Sequence, residues 1–419
     1  MISWYRESTL MAFGLMAFGL MAFRAPLARA AEPTRGAAAK RPATEFAALP
    51  IVGADSDVGI GGGVIASLAR VRPDLEPHLW RLEAVGMTTV KQVEGDWDVR
   101  YADLSLMLSL PHVIRDRLGL TLRASYTQET ALSYYGMGNA AQVTGSRPEG
   151  DAYYAFDWTH PRAEATAEIQ LGGSFELSTG ASYTHNRITA PAQGQLAVDS
   201  QSPDAELRHL TELVPEHDVV TFSVGLNWDT RDDEVSPERG HYHSLRFDLS
   251  PSTGEQVPYR WMRTDLVLRQ YVPLWPDRLV AAARLLGDAL FGQPPFYELA
   301  RFDSSFAVGG TRGMRGVPAP GYYGMLKLIA NLELRARLFS LDLFDKDYDF
   351  GMVAFTDFGR VFADYGSLSE LDGPGLGVKV SLGAGVRVRA GKSFVLRADV
   401  AASPGEGSTA AYLTAGHLF

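Results

Sequence analysis

Long segments in which apolar and polar residues alternate constrain the fold of this chain more than any other feature. Between Val378 and Arg389 the even positions are apolar, whereas the odd positions are Lys, Ser, Gly or Arg. The same period of two runs from Leu104 to Leu110, from Leu328 to Leu338 and from Phe394 to Val400. Successive side chains of a β-strand point to opposite faces, while a helix repeats about every 3.6 residues. The pattern therefore predicts strands with one apolar face and one polar face.

The apolar faces of these segments extend over five or six positions. Such a face corresponds to about 9–11 residues of tilted strand across a bilayer. Strands of a soluble sandwich, the main alternative, usually contain about five or six residues. The sequence therefore favours a membrane protein, in which charged positions in the middle of strands face a water-filled lumen. We predict an all-β fold, a 16-stranded antiparallel transmembrane β-barrel.

The connections between the predicted strands differ in length in a regular way. Those at 130–149, 190–218 and 292–323 are long, whereas those at 172–173 and 274–277 are short. An even number of strands places both ends of a bacterial barrel in the periplasm, so the long connections are predicted to be extracellular. The predicted strands are 47–54, 57–70, 78–91, 96–110, 117–128, 150–171, 174–189, 219–231, 240–251, 259–273, 278–291, 324–338, 349–363, 375–389, 393–403 and 410–419.

The composition excludes several other classes of protein. The chain has no cysteine, which rules out disulfides, thiolate metal sites, cysteine nucleophiles and the anchor of a lipoprotein. No apolar run reaches the roughly 18 residues of a membrane-spanning helix. A net charge of −10 without a basic cluster argues against a nucleic-acid partner. The sequence indicates no cofactor and no metal site.

The first thirty residues have the features of an export signal. Arg6 precedes an apolar block from Leu10 to Phe23, and the stretch from Ala28 to Ala30 offers a small-x-small cleavage site. An uncleaved anchor is the alternative, but Arg24 interrupts the apolar block. We therefore expect a cleaved signal peptide and export to the outer membrane of a Gram-negative bacterium.

These boundaries give three predicted parts: a signal peptide over residues 1–30, a periplasmic linker over 31–45 and the transmembrane β-barrel over 46–419. The linker is rich in Ala, Pro, Arg and Thr, which is typical of a segment without a core of its own. It has about fifteen residues, so we expect no folded periplasmic domain between the cleavage site and the first strand.

The connection between predicted strands eleven and twelve contains the most specific motif. It reads Gly309-Gly310, then Thr311-Arg312-Gly313, then Met314-Arg315-Gly316-Val317. Glycines suit a tight loop tip that must approach a barrel wall closely. A phosphate-binding glycine loop is the alternative, but the surrounding sequence does not provide the strand-to-helix context that such a loop needs.

With this motif the chain resembles the bacterial surface-antigen superfamily, the BamA/TamA-like outer-membrane assembly and translocation proteins. In that superfamily the sixth extracellular loop of a sixteen-stranded barrel inserts into the lumen, and its tip carries Gly-Gly, three residues, then Val-Arg-Gly-aromatic. Here Met314 replaces the valine and Val317 replaces the aromatic residue. Further similar stretches follow in order: Asp229–Asp232 with Pro237–Gly240, Asn331–Arg335, Phe355–Gly359 and Leu382–Arg387.

The resemblance implies an anchor between the inserted sixth loop and the inner barrel wall, where the loop arginine of the superfamily pairs with carboxylates. Alternation independently places Glu333 on the lumen face, and an arginine can bind carboxylates with two parallel hydrogen bonds. A solvated loop arginine is the alternative. The implied anchor comprises Arg315, Glu333 and Asp357, with Gly309, Gly310 and Gly316 shaping the loop tip.

The resemblance also assigns a role to the last residues, from Gly416 to Phe419. In this class, a last strand that ends on an aromatic residue is the signal read by the barrel-assembly machinery during biogenesis, which would be a partner of this chain. In structural terms we expect Phe419 to lie at the membrane interface, in contact with outer-membrane lipid.

The stretch His241-Tyr242-His243-Ser244 is the candidate for catalysis, since outer-membrane phospholipases place His and Ser on a barrel wall. Neighbouring strand residues point to opposite faces, so His243 and Ser244 cannot meet as base and nucleophile. His241 and His243 share a face and could bind a metal weakly, but the sequence places no further ligand nearby. We expect no enzyme activity.

The resemblance implies that the barrel aids the insertion or translocation of protein or lipid clients. A weakly closed seam between the first and last strands would offer unpaired edges to incoming strands. We expect the first strand, Leu49–Ala54, to be short and weakened by Pro50 and Gly53. A separate periplasmic partner would supply client binding. The alternatives are a passive channel or porin with the loop as its constriction, and a structural surface barrel.

Overall fold

Sixteen antiparallel strands close into a barrel, as the alternation in the sequence predicts. The computed structural model describes residues 43–72, 75–93, 95–115, 117–144, 150–252, 254–302, 305–306, 308–343, 346–391 and 394–419. The predicted signal peptide, residues 1–30, and the predicted linker up to residue 42 lie outside these described residues.

Each strand pairs with its neighbours in the sequence, and the last strand meets the first to close the ring. The strands are β1 (Ala43–Asp55), β2 (Gly59–Arg72), β3 (Leu75–Val93), β4 (Asp96–Ile114), β5 (Leu118–Ser133), β6 (Ala155–Thr159 and Arg162–Gly172), β7 (Phe175–Thr189), β8 (Glu216–Asp229), β9 (Gly240–Ser250), β10 (Arg260–Trp275), β11 (Leu279–Gln293), β12 (Leu326–Leu343), β13 (Lys346–Phe362), β14 (Lys379–Ala390), β15 (Phe394–Ser403) and β16 (Ser408–Ala415).

The strand β6 is interrupted at His160 and Pro161, and both of its segments pair with β5 and β7. Proline has no N–H to donate to a strand ladder, which explains a break at this position. The sequence predicts a continuous strand over 150–171, so the interruption is a correction to that prediction.

The two faces of the strands differ as the alternation predicts. On β4, Leu104 is 61% exposed on the outer face, whereas its neighbour Asp103 is 5% exposed on the lumen face. On β14, Leu382 is 54% exposed, whereas Ser381 is fully buried inside the barrel. An apolar exterior around a polar interior is the arrangement of a transmembrane barrel. Among the described residues, no helix is long and apolar enough to span a membrane.

The connections at one end of the barrel are long and pack together. The connection 294–325, between β11 and β12, is called loop 6 below. A buried cluster that covers this end includes Tyr134, Phe156, Leu196, Phe296 and Tyr323, which come from loops and strand ends. The short elements in the connections are α1 (Gln195–Asp199), α2 (Ala205–Leu210), the 3₁₀ turns Asp151–Tyr153, Phe296–Ala300 and Ser369–Asp372, and a ribbon of Arg301–Phe302 with Ser305–Phe306.

The strand β1 is longer than the sequence predicts. It begins at Ala43, three residues before the predicted barrel boundary, and its register with β2 runs from Ala43–Val71 to Asp55–Gly59. The expectation of a short first strand is therefore wrong. Pro50 does not end it, because among the described residues β1 has a strand partner on one side along most of its length and an edge strand tolerates proline.

Candidate functional site

The tip of loop 6, residues 309–317, contacts the inner faces of β12 and β13. Arg315 Nε donates to Asp357 Oδ2 at 2.9 Å, and its Nη2 donates to Asp357 Oδ1 at 2.8 Å. Its Nη1 donates to Glu333 Oε1 at 2.6 Å. The guanidinium therefore binds one carboxylate through two parallel hydrogen bonds and reaches the second with its remaining nitrogen. The structure thus brings together the three charged residues that the resemblance singles out.

This anchor is completely removed from solvent. Arg315 and Asp357 have no exposed surface, and Glu333 is 2% exposed. Burial by itself would lower the pKa of Arg315, but the carboxylates of Glu333 and Asp357 outweigh that effect and hold its pKa above the ordinary value. The guanidinium carbon also lies 3.4 Å from the centre of the Phe355 ring. Removing one member of a buried charge pair costs about 3–5 kcal/mol, because its partner is left uncompensated.

Further charges on the wall balance the anchor. Arg335 Nε donates to Glu333 Oε2 at 2.8 Å, so Glu333 serves two arginines with its two oxygens. Asp399 Oδ2 lies 3.4 Å from Arg315 Nη1, and its Oδ1 lies 2.5 Å from Arg387 Nη1. Alternation along β15 places Asp399 on the polar face, but the sequence reading did not connect it to loop 6. Its contact with Arg315 depends on how β15 is placed in the barrel.

Three more wall residues hold the backbone of the loop tip, and sequence reasoning missed them as site residues. Arg284 Nη2 donates to the carbonyl of Arg312 at 2.6 Å. Asn331 Nδ2 donates to the carbonyl of Gly313 at 3.0 Å. Arg397 Nη2 donates to the carbonyl of Thr311 at 3.2 Å and to its Oγ1 at 2.8 Å. The signals in the sequence are that these side chains occupy polar positions of alternating strands and that Asn331 begins one of the stretches similar to the superfamily.

The three glycines predicted to shape the loop tip are needed for different structural reasons. A side chain on Gly309 would overlap the carbonyl of Pro318, so the loop closes on itself there. Gly310 and Gly316 adopt φ angles of +86° and +89°, which glycine reaches without strain. A Cβ on Gly316 would also lie 3.1 Å from the backbone of Ala401 on β15. Gly316 therefore lets the loop tip touch the wall directly.

The last residues turn into the barrel, which corrects the expectation that Phe419 lies at the membrane interface. Gly416 has a φ of +82° and changes the chain direction after β16. Phe419 is 6% exposed and packs with Tyr271 and Val280 on the inner wall. Arg335 Nη2 donates to the carbonyl oxygen of Phe419 at 2.7 Å. The apolar contacts of the ring and the hydrogen bond from Arg335 to the backbone carbonyl stabilise Phe419 in the lumen.

The seam between β1 and β16 is the weakest join between two strands of the barrel. Within the described residues, its register pairs Ala54 with Leu413 and Asp55 with Tyr412. By contrast, β15 and β16 pair from Leu396–Ala415 to Ser403–Ser408. The expected weak seam is therefore present, but its cause is the short overlap with β16 and not a short β1.

A large cavity lies in the lumen beside the loop tip. Its volume is about 1230 Å³, and residues of both charges line it, among them Arg123, Glu164, Arg246 and Asp248. Such a lining is polar and does not favour one sign of charge.

The two histidines of β9 lie on the outer face, at the end with short connections. The rings of His241 and His243 stack with their centres 4.5 Å apart and an angle of 12° between their planes. Parallel stacked rings do not direct two nitrogens at one metal ion. Ser244 follows on the opposite face of the strand, as alternation predicts.

The chain is similar to known proteins in its sequence profile and in its fold. A sequence profile described as the Omp85 superfamily domain matches residues 100–410. No curated protein sequence matches the chain. The structure of BamA from Haemophilus ducreyi lacking POTRA domains 1–3 is similar, with a TM-score of 0.61, 14% identity, and coverage of 90% of this chain and 70% of that chain. CdiB from Escherichia coli is also similar, with a TM-score of 0.54, 13% identity, and coverage of 88% of this chain and 62% of that chain. At these identities the likeness concerns the fold, and this chain spans only part of the length of either protein.

Proposed function

Because this chain belongs to the Omp85 superfamily, we propose that it helps protein or lipid clients to enter or cross the outer membrane through its seam. The family supports the coarser statement that the chain is an outer-membrane assembly or translocation barrel. We further propose that the protein has no catalytic role and that its signal peptide is cleaved. The proposal also includes the class of client and a separate periplasmic partner.

The single observation that carries the proposal is the free edge of β1. This strand pairs with β2 over residues 43–55, but with β16 at Ala54 and Asp55 alone among the described residues. No described strand therefore pairs with the backbone of residues 43–53 on the seam side. An unpaired edge of this length is a template for strand addition.

The side chains of β1 fit a client that is itself a membrane strand. Phe46 and Val52 are 71% and 42% exposed and lie on the same outer face of β1. An incoming strand with alternating apolar residues would extend this face while its backbone pairs with the edge. We therefore favour a polypeptide that forms β-strands as the client.

A reversible lock on the seam tests the proposal. The chain has no cysteine, so Ala54→Cys with Leu413→Cys introduces one pair at positions that already face each other across the seam. The protein would be reconstituted into lipid vesicles, and the folding rate of an unfolded outer-membrane β-barrel client would be measured. We expect the oxidised protein to fall to the rate of empty vesicles and the reduced protein to recover.

A matched lock elsewhere controls for the effect of a disulfide. Val386 and Ala398 face each other between β14 and β15, so Val386→Cys with Ala398→Cys cross-links a neighbouring strand pair without touching the seam. This variant should keep its rate when oxidised. An oxidised seam variant that folds the client at full rate would exclude insertion through the seam.

A passive channel is the second candidate, because the lumen contains the cavity of about 1230 Å³. The buried cluster over the long-loop end and the loop tip in the lumen act against free flow. Conductance across a planar bilayer separates the two functions. A steady large conductance that the oxidised seam lock does not change would favour the channel.

A further inference from the structure

An arginine points away from the lumen at the end of the barrel with long connections. Arg360 follows Gly359 on β13, and a Cβ on Gly359 would lie 2.6 Å from the sulfur of Met314 inside the lumen. Successive strand residues point to opposite faces, so Arg360 lies on the outer face. Its register partner on β12 is Leu328, which is 40% exposed on the same face. Arg360 therefore belongs to the surface that contacts lipid.

Neutral groups hold the guanidinium of Arg360 in place. Its Nη1 donates to the carbonyl of Gly375 at 3.0 Å. Its central carbon lies 4.4 Å from the centre of the Phe362 ring. Among the residues that the structure describes, no carboxylate oxygen lies within 4.0 Å of its nitrogens, and its Nε has no hydrogen-bond partner. The position therefore carries a positive charge without a counter-charge in direct contact.

An acidic residue in the neighbouring connection, Asp372, does not pair with this arginine. The charges of Asp372 and Arg360 act on each other without direct contact. Asp372 Oδ1 instead accepts a hydrogen bond from the backbone N–H of Ala363 at 2.8 Å. By contrast, Arg187, an outward arginine at the same end of β7, lies 3.7 Å from the carboxylate of Glu216. Outward arginines at this end of the barrel therefore differ in whether the sheet supplies a counter-charge.

Exposed apolar side chains lie near this charge along the rim of the barrel. They are Phe291, Leu328, Tyr365, Leu376 and Val378, with exposed fractions of 42%, 40%, 53%, 80% and 47%. The rings of Phe291 and Tyr365 stack, with their centres 5.2 Å apart and 2° between their planes. Leu376 follows Gly375, whose carbonyl accepts from Arg360. An apolar surface beside one cation matches a molecule with an anionic head and apolar tails.

We propose that Arg360 binds the phosphate of a lipid in the outer leaflet, with the acyl chains of that lipid on the apolar side chains nearby. A guanidinium binds phosphate oxygens through parallel, charge-assisted hydrogen bonds. With sixteen strands the long connections are extracellular, so this rim lies at the outer leaflet. A free phosphate ion would use the cation alone and leave Leu376 in water, whereas a lipid covers both. This site lies on the outer face and does not depend on the proposed function.

Native mass spectrometry of the full chain in detergent micelles, titrated with bisphosphorylated lipid A, measures the fraction of protein that carries one lipid. Arg360→Gln removes the charge and keeps a polar side chain. We expect its affinity for this lipid to fall about tenfold, as for the loss of one charge-assisted hydrogen bond. Its affinity for dephosphorylated lipid A should not change. Leu376→Ser should weaken binding of both forms, because the acyl chains lose an apolar contact.

Arg187→Gln is the matched control, because it removes an outward arginine that already has Glu216 as its partner. It should bind bisphosphorylated lipid A as the parent does, and the shift of the unboiled gel band checks that each variant is folded. Inorganic phosphate at millimolar concentration should not displace the lipid. Displacement by inorganic phosphate, or equal affinities in Arg360→Gln and Arg187→Gln, would overturn the lipid site. The seam lock would still report on the proposed function, so the two inferences fail separately.

Discussion

Arg315 and Asp357 are joined by three hydrogen bonds, two from the guanidinium and one from the backbone N–H of Arg315, which lies 3.0 Å from Asp357 Oδ2. One carboxylate therefore fixes both the side chain and the backbone of the loop tip. A second carboxylate, Glu333, completes the charge balance. This pair therefore fixes the loop tip more tightly than the single hydrogen bonds from Arg284 and Asn331 do.

The first prediction concerns that pair. Arg315→Ala should lower the free energy of unfolding by about 3–5 kcal/mol, because it leaves buried carboxylates without a counter-charge. Arg315→Lys should recover part of this loss, since an ammonium cannot form two parallel hydrogen bonds with Asp357. Thermal conversion of the unboiled gel band measures stability, and limited proteolysis at 305–325 measures release of the loop.

Arg312→Ala is the control for this prediction, because Arg312 lies at the same loop tip and gives its backbone carbonyl to Arg284. That carbonyl is retained in the variant, so we expect a smaller loss of stability than in Arg315→Ala. Equal proteolysis in the two variants would contradict the anchor role of Arg315.

The second prediction tests the faces of the barrel on one strand. Leu122 of β5 is 41% exposed on the outer face, whereas Ser125 lines the lumen cavity. Leu122→Arg should lower the free energy of unfolding by about 2–4 kcal/mol if the site is near the bilayer midplane. Ser125→Arg should lower it little, because the new charge stays in water. Unfolding in urea from lipid vesicles measures both. Similar costs would mean that the outer face does not contact lipid.

The third prediction tests the interior position of Phe419. Phe419→Ala should destabilise the barrel by about 3–5 kcal/mol, as expected for a large side chain removed from a packed site. Phe339 is 52% exposed on the outer face of β12, so Phe339→Ala should cost much less. If the two variants have the same effect on unfolding, Phe419 is not buried in the lumen.

The fourth prediction concerns pH. Burial and the neighbouring carboxylate of Asp55 raise the pKa of Asp57 well above 3.8, against the opposing effect of Lys91. Because the folded protein binds this proton more tightly than the unfolded chain, the contribution of Asp57 to stability is greatest at low pH. This contribution to stability is lost as the pH rises from about 3.8 through the raised pKa of Asp57. After the intrinsic pH dependence of amide exchange is divided out, the protection of residues 54–59 and 408–415 against hydrogen–deuterium exchange should therefore be lower at pH 8 than at pH 4.5.

Asp57→Asn should remove this pH dependence, because the amide stays neutral. Asp55, Lys91, Tyr412 and, through Asp55, Arg397 are the other titratable or charged groups around this carboxyl. Asp151→Asn, at an exposed position on another loop, should retain the pH dependence of the parent. If Asp57→Asn shows the same change with pH as the parent, another group is responsible.

The sequence by itself determined the class of fold and the faces of its strands. A period of two over ten or more residues has one solution, a strand with two different sides, so Leu382 faces out and Glu333 faces in. The pairing of Arg315 with Glu333 and Asp357 came from the resemblance to the superfamily, because the tip has two arginines, Arg312 and Arg315, and the residues alone also allow a solvated loop arginine. The break at Pro161 lies where the apolar positions change from even, Phe156 and Trp158, to odd, Ala163 and Ala165, and the predicted strand 150–171 runs across that change.

Only the tertiary structure decided which residues meet across the barrel. The contacts of Arg315 with Asp399, of Gly316 with Tyr412 and of Arg335 with Phe419 join segments separated by 84, 96 and 84 positions. No local pattern encodes such pairs, since they depend on strand register and on closure of the ring. The seam is decided in the same way. The turn at Gly416 removes the end of β16 from the ladder, so β1 keeps a free edge for a reason that lies on the other strand.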